Sequence, residues 1–284
     1  VNKTANKGAI AVALASAISL SLAGCGTSQS AKPVKAATSE KVKTVQTAFN
    51  QYIVVEAGSK LGSDGKKHDA FINGDIQITQ NQPVTLHFLN YDDAEHTYVS
   101  PELGLGVKIK GSTKKGQPKE TTYTFTPSKS GTFTWNCTDV CDDSKQWSMS
   151  QQGYMTGKIT VLPASNQVQH VSMVVNPGYK LGPDGKMHDS FANGDITVKV
   201  GQPVEVTVYN LDQGEHSITA KDLGLNFVAK ASAKDGVPAV STFTFTPQKE
   251  GKFMWMCTIP CDDDAKGWAM SKDNYMMGYF NVVK

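Results

Sequence analysis

The chain repeats itself, and that duplication limits its fold more than any single motif. Leu61-Gly-Ser-Asp-Gly-Lys-Lys-His68-Asp returns as Leu181-Gly-Pro-Asp-Gly-Lys-Met-His188-Asp. Phe71-Ile-Asn-Gly-Asp-Ile returns as Phe191-Ala-Asn-Gly-Asp-Ile, and Thr124-Phe-Thr-Pro127 as Thr244-Phe-Thr-Pro247. His68 and His188, His96 and His216, and Cys137 and Cys257 are each 120 positions apart. Trp147 and Trp268 are 121 apart, so the second copy carries one extra residue after its second cysteine. A period this long, with one complete motif set per copy, describes tandem domains and not a solenoid of short repeats. The expected boundaries are 46–163 and 164–284, with Leu162-Pro-Ala-Ser-Asn-Gln167 as the junction.

Within each copy, short β-branched and aromatic runs alternate with turn signals. Asp75-Ile-Gln-Ile-Thr and Val84-Thr-Leu-His-Phe-Leu flank an Asn81-Gln-Pro turn, and Glu120–Thr126 alternates until Pro127 stops it. Gly131-Thr-Phe-Thr-Trp135 and Lys158–Leu162 complete the set, and no amphipathic helix competes with it. This pattern predicts an all-β protein of two tandem Greek-key β-sandwiches, each of roughly 100 residues. His87 has Thr207 as its counterpart and His170 lies near the junction, so both are read as surface or packing residues.

The first residues have a different character. Lys3 and Lys7 precede an apolar, small-residue run from Ala9 to Leu22. That run is short for a membrane span and suits a secretory signal over 1–24. Leu22-Ala-Gly-Cys25 resembles the bacterial lipobox, which implies lipidation of Cys25 and the membrane as a partner. Residues 25–45, rich in Ser, Thr, Ala and Lys, read as the lipidated Cys and a flexible tether. The expected location is therefore extracytoplasmic, lipid-anchored to a bacterial cell membrane, where disulfides are permitted. A net charge of +2 without a basic cluster gives no ground for a nucleic-acid partner.

The chemistry concentrates in Trp135-Asn-Cys137-Thr-Asp-Val-Cys141 and Trp255-Met-Cys257-Thr-Ile-Pro-Cys261. Each thiol pair follows a strand-like run, with a His upstream (His96, His216) and Tyr154-Met155 or Tyr275-Met276 downstream. Thiols spaced four apart permit a disulfide or a metal site. Soft sulfur donors with an imidazole suit copper among the first-row metals.

Taken in order, these features resemble the cupredoxins. The shared run is Asn90-Tyr-Asp-Asp-Ala-Glu-His96, Leu103-Gly-Leu, Phe-Thr-Pro, Gly-x-Phe and the Cys loop. Among cupredoxins the paired cysteines look most like the binuclear copper domain of cytochrome c oxidase subunit II and nitrous oxide reductase. The resemblance implies copper ligands at His96, Cys137, Cys141 and Met155, and at His216, Cys257, Cys261 and Met276. Trp135, Trp147 and Met149, with their counterparts, would form the apolar shell. The family's second loop His is missing from both copies: Ser150–Tyr154 and Ser271–Tyr275 contain none. The copper centre is thus expected to be mononuclear or an altered binuclear one. His68 and His188 are candidates for an additional ligand or a supporting hydrogen-bond donor, and Asp142-Asp143 and Asp262-Asp263-Asp264 for a carboxylate.

The function implied is one-electron transfer, with a respiratory electron-transfer partner. The alternatives are Cu(I) storage, delivery or sensing with a copper chaperone, and a metal-free module closed by Cys-x3-Cys disulfides. Six histidines without a His-x-His pair, and no Ser/His/Asp set or P-loop, lead to the expectation that the chain is not an enzyme.

Overall fold

Why the strands form where they do follows from which faces they bury. The computed structural model describes residues 48–141 and 147–284. The signal, Cys25, the tether and Asp142-Asp143 lie outside the described residues. The first copy runs β1 (Phe49–Leu61), β2 (Lys67–Phe71), β3 (Ile76–Thr79), β4 (Val84–Asn90), β5 (His96–Ser100), β6 (Leu105–Ile109), β7 (Lys119–Phe125), β8 (Gly131–Asn136) and β9 (Thr156–Leu162). The second runs β10 (Gln169–Leu181), β11 (Met187–Phe191), β12 (Asp195–Lys199), β13 (Val204–Asn210), β14 (His216–Ala220), β15 (Leu225–Ala229), β16 (Ala239–Phe245), β17 (Gly251–Met256) and β18 (Met277–Val283).

Each copy is a sandwich of one four-stranded and one five-stranded sheet. The orders are β2-β1-β4-β7 with β3-β9-β8-β5-β6, and β11-β10-β13-β16 with β12-β18-β17-β14-β15. Parallel pairs β1/β4 and β3/β9, which no hairpin can produce, mark the Greek-key crossings. Between the sheets of the first copy lie Ile53, Leu86, Phe88, Tyr98, Trp135 and Ile159, each fully buried. Met173, Val206, Ile218, Trp255 and Phe280 fill the second in the same way. The expected all-β pair of sandwiches is what forms. Among the described residues, no helix is long and apolar enough to cross a membrane.

The strands β1 and β10 are buried on both faces. Ile53 and Val55 point into their own sandwich, while Val54 between them joins Leu89, Tyr91, Val174 and Leu211 in a cluster between the copies. Val174 does the same from β10. That double burial replaces alternation with a continuous apolar run, the pattern of strands covered on both sides. The seam is reciprocal, as expected for a self-complementary pairing. Leu61 N–H donates to Gly236 O, and Leu181 N–H to Gly116 O, both at 2.8 Å. Gly116 and Gly236 have φ of 76° and 78°. A Cβ at Gly116 would lie 2.6 Å from Met187 Cε, and one at Gly236 would lie 2.9 Å from Leu61 N, so both positions need glycine. Between these two contacts, Asn176 Nδ2 donates to the buried carboxylate of Glu56, its own counterpart in the repeat.

Candidate metal centre

Three elements meet at the same end of each sandwich. β5 opens on His96, β8 delivers Cys137 one residue past its end, and Met155 stands just before β9. Cys137 N–H donates to Met155 O at 2.7 Å, and Cys257 N–H to Met276 O at 2.8 Å, which holds cysteine and methionine side by side. Beneath them Trp135 and Trp255 are fully buried, their indole N–H groups tied to Asp75 Oδ1 (3.3 Å) and Gly194 O (2.8 Å).

His96, Cys137 and Cys141 bring their donor atoms within 4.8 Å of one another, and His216, Cys257 and Cys261 do likewise; all six residues are buried. The thiols are free, 3.1 Å apart in the first copy and 3.9 Å in the second. A disulfide needs about 2.05 Å. The disulfides of that alternative are not formed in this structure. Met155 and Met276 are fully buried in the same clusters as the thiols.

The imidazoles are oriented by carboxylates that the motif alone does not single out. His96 Nε2–H donates to Asp92 Oδ2 at 2.9 Å, and His216 Nε2–H to Asp212 Oδ2 at 2.7 Å. With Nε2 committed, Nδ1 is the remaining donor atom. In His96 it is buried without a hydrogen-bond partner, and in His216 it faces Cys257 Sγ at 3.9 Å. A carboxylate behind a histidine fixes ring orientation and raises its basicity, as it does around bound metals generally. Asn90 and Asn210 shape the loop. Each accepts from the Asp two residues on (3.0 and 2.9 Å) and donates to the carbonyls of Ala94 and Lys110, or Gly214 and Lys230. The detectable signal was Asn-x-Asp-x3-His, present in both copies.

The first thiol of each pair has its own donor. Thr97 N–H reaches Cys137 Sγ at 3.3 Å, and Ser217 N–H reaches Cys257 Sγ at 3.3 Å. The hydrogen bond from Cys141, then the neighbouring His96 ring and Thr97, hold the Cys137 thiol well below its ordinary value despite burial. Cys261, His216 and Ser217 do the same for Cys257. The partner thiols Cys141 and Cys261 are pushed up by that bond and by burial. Burial pulls the His96 and His216 rings down, but Asp92 or Asp212 and the facing cysteine outweigh it and hold both at about 9. In each centre the first thiol is therefore shifted toward thiolate and the facing ring toward imidazolium, with one further thiol beside them.

His68 and His188 lie outside both donor groups. His188 donates from both nitrogens, to Asp184 Oδ1 and Asp262 Oδ2 at 3.0 Å each, and stacks on Trp268 at 4.2 Å. His68 bonds Asp64 at 2.9 Å and stacks on Trp147 at 4.3 Å. Of the candidate carboxylates, Asp262 turns to His188 and the loop backbone. An open cavity of about 510 Å³ lies over the second centre, lined by His216, Cys261, Asp189, Asp212, Glu215 and Asp262 among others. Its acidic wall favours an approaching cation.

No family model and no curated protein matches the chain. Solved structures do. A multicopper oxidase is similar at 13% identity over 84% of this chain and 90% of its own, with a TM-score of 0.30. A copper nitrite reductase from Nitrosomonas europaea is similar at 13% identity over 84% and 95%, with a TM-score of 0.31. The metal-binding domain of a Cu(I)-exporting P-type ATPase from Streptococcus pneumoniae is similar at 18% identity over 42% and 90%, with a TM-score of 0.27. At these identities and TM-scores the likeness assigns no family or role to this chain. One expectation is corrected: two of these similar structures are enzymes, so the histidine count is no ground for calling this chain a non-enzyme. The donor set of imidazole and paired thiols could hold a soft metal ion and suits copper.

Proposed function

We propose that this chain is an extracytoplasmic copper protein, held at the cell membrane through Cys25, that passes single electrons to a respiratory partner. The observation that carries the reading is the His/Cys/Cys group repeated in both copies, with Nε2 on a carboxylate and Nδ1 turned to the thiols. His96, Cys137 and Cys141, with Met155, would hold copper in the first copy; His216, Cys257 and Cys261, with Met276, would hold it in the second. Copper bound there supplies a one-electron Cu(I)/Cu(II) couple. The protein's part is to orient the imidazoles through Asp92 and Asp212, to stabilise thiolate through the Thr97 and Ser217 amides, and to exclude water with buried Trp135 and Trp255.

Copper loading followed by absorption, EPR and voltammetry tests this. A thiolate-to-Cu(II) charge-transfer band with a reversible wave supports electron transfer; a loaded protein without either sinks it. Tight Cu(I) binding without a wave selects storage or delivery to a copper chaperone, a reading favoured by the missing second imidazole. The anchor is tested separately, since Cys25→Ser should move the protein from the membrane fraction to the medium.

A further inference from the structure

Cys261 Sγ lies 2.9 Å from Met270 Sδ, inside ordinary contact between heavy atoms. A packed methionine usually sets its sulfur at an aromatic edge or fills an apolar gap. Here the thioether instead faces a thiol that already belongs to the His216, Cys257 and Cys261 group. A thiol proton is a weak donor and a thioether a weak acceptor, so the pair gains little on its own. A soft cation bound by both sulfurs would hold them as neighbours, with the pair opening from 2.9 Å to admit it.

The backbone holds Met270 there. It sits in the 3-10 turn Trp268–Ser271, entered through Gly267 at φ 71°. Ala269 N–H donates to Asp262 Oδ2 at 2.8 Å, Met270 N–H to Gly267 O at 3.1 Å, and Met276 N–H to Ala269 O at 3.3 Å. One carboxylate, on the residue after Cys261, therefore binds the residue before Met270, and His188 clamps that carboxylate from behind. The counterpart in the first copy, Met149, packs against its core cluster as Met270 does against its own, so the two copies differ in what the second thiol meets. There the Cys141 thiol meets Asp139 O at 3.1 Å and Glu95 O at 3.8 Å.

We propose that Met270 is a copper ligand that, with His216, Cys257 and Cys261, takes the place left by the missing imidazole in the second copy. This rests on the copper reading above. With Met276 of the site proposed above, four sulfurs and one imidazole, two of the sulfurs being thioethers that have no proton to lose, make a site for Cu(I). The second copy thereby holds Cu(I) more tightly than the first.

The test uses the full chain loaded anaerobically with Cu(I), read by competition with a chromophoric Cu(I) chelator and by copper-edge X-ray absorption. Met270→Leu keeps the side-chain volume. The tighter of the two affinities should fall at least about tenfold, with fewer sulfur neighbours per copper, while Met149→Leu changes neither. Selenomethionine labelling adds a check that does not depend on the variant's stability. Part of the copper–selenium scattering of the labelled chain should vanish when Met270 alone is replaced. A chain that binds copper with affinities and scattering unchanged in Met270→Leu overturns the ligand assignment and leaves the copper reading standing. A wild-type chain that takes up no copper overturns both.

Discussion

Asp92 and Asp212 decide which nitrogen of each histidine meets the thiols, because each accepts a hydrogen bond from Nε2–H and leaves Nδ1 as the donor atom. Replacing either by Asn keeps the shape but removes the charge that holds the tautomer. Asp212→Asn should weaken copper binding in its own copy about 10- to 100-fold, measured by chelator competition, and leave the other copy unchanged. The same carboxylates govern pH dependence. His96 and His216 carry a proton below about 9, raised from the ordinary 6.5 by Asp and thiolate against the pull of burial. Nδ1 loses that proton when it takes a metal. Affinity should therefore rise with pH from 6.5 to about 9, by about tenfold per unit for each proton displaced. A flat profile across that window in a copper-binding chain would remove the histidines from the ligand set.

Among the elements, β1 and β10 carry the most consequence, since each serves a sandwich and the seam between sandwiches at once. The loops carrying Gly116 and Gly236 close that seam at positive φ with backbone in the way of any Cβ. Gly236→Ala should cost about 1–3 kcal/mol, read as a lower urea midpoint. Gly104→Ala is the control: its φ is also positive, 65°, but nothing stands within 4 Å of the new Cβ, so it should cost less. Equal losses would mean that the strained conformation alone, and not the approach to Leu61, sets the requirement. The strands from Asp75, Val84, Glu120, Gly131 and Lys158 were readable from alternation and turn residues. β1 and β10 were not, because burial on both faces erases the two-residue period that marks a half-buried strand.

Over the whole molecule, the two copies meet at Glu56 and Asn176, which are equivalent residues hydrogen-bonded to each other. Burial raises the Glu56 carboxyl from 4.5 to about 7, only partly offset by Ser59 and Asn176. A carboxyl whose folded value is raised favours the folded state fully below its unfolded value. That contribution shrinks as pH rises above 4.5 and is gone once pH passes about 7. The span corresponds to about 3 kcal/mol. Glu56→Gln should flatten the fall in unfolding free energy between pH 4.5 and about 7; a variant that keeps the wild-type slope would place the titrating group elsewhere. Copper should also stabilise the fold as it loads, by about 4 kcal/mol at a thousandfold excess over the dissociation constant. Thermal unfolding with and without a chelator measures this.

The amino-acid sequence by itself determined the duplication, the all-β class, and the pairing of His96, Cys137, Cys141 and Met155 with His216, Cys257, Cys261 and Met276. Those facts are carried by local periodicity and by residue types repeated at one fixed offset, which need no third dimension. Only the tertiary structure decided that the thiols stand free beside Nδ1, that Asp92 and Asp212 set the rings, that His68 and His188 point to other partners, and that Met270 reaches Cys261. Each of these depends on distances between residues from different strands and loops. Such distances are fixed when the sheets pack and the loops at the end of the sandwich lock onto each other, and no spacing along the chain encodes them.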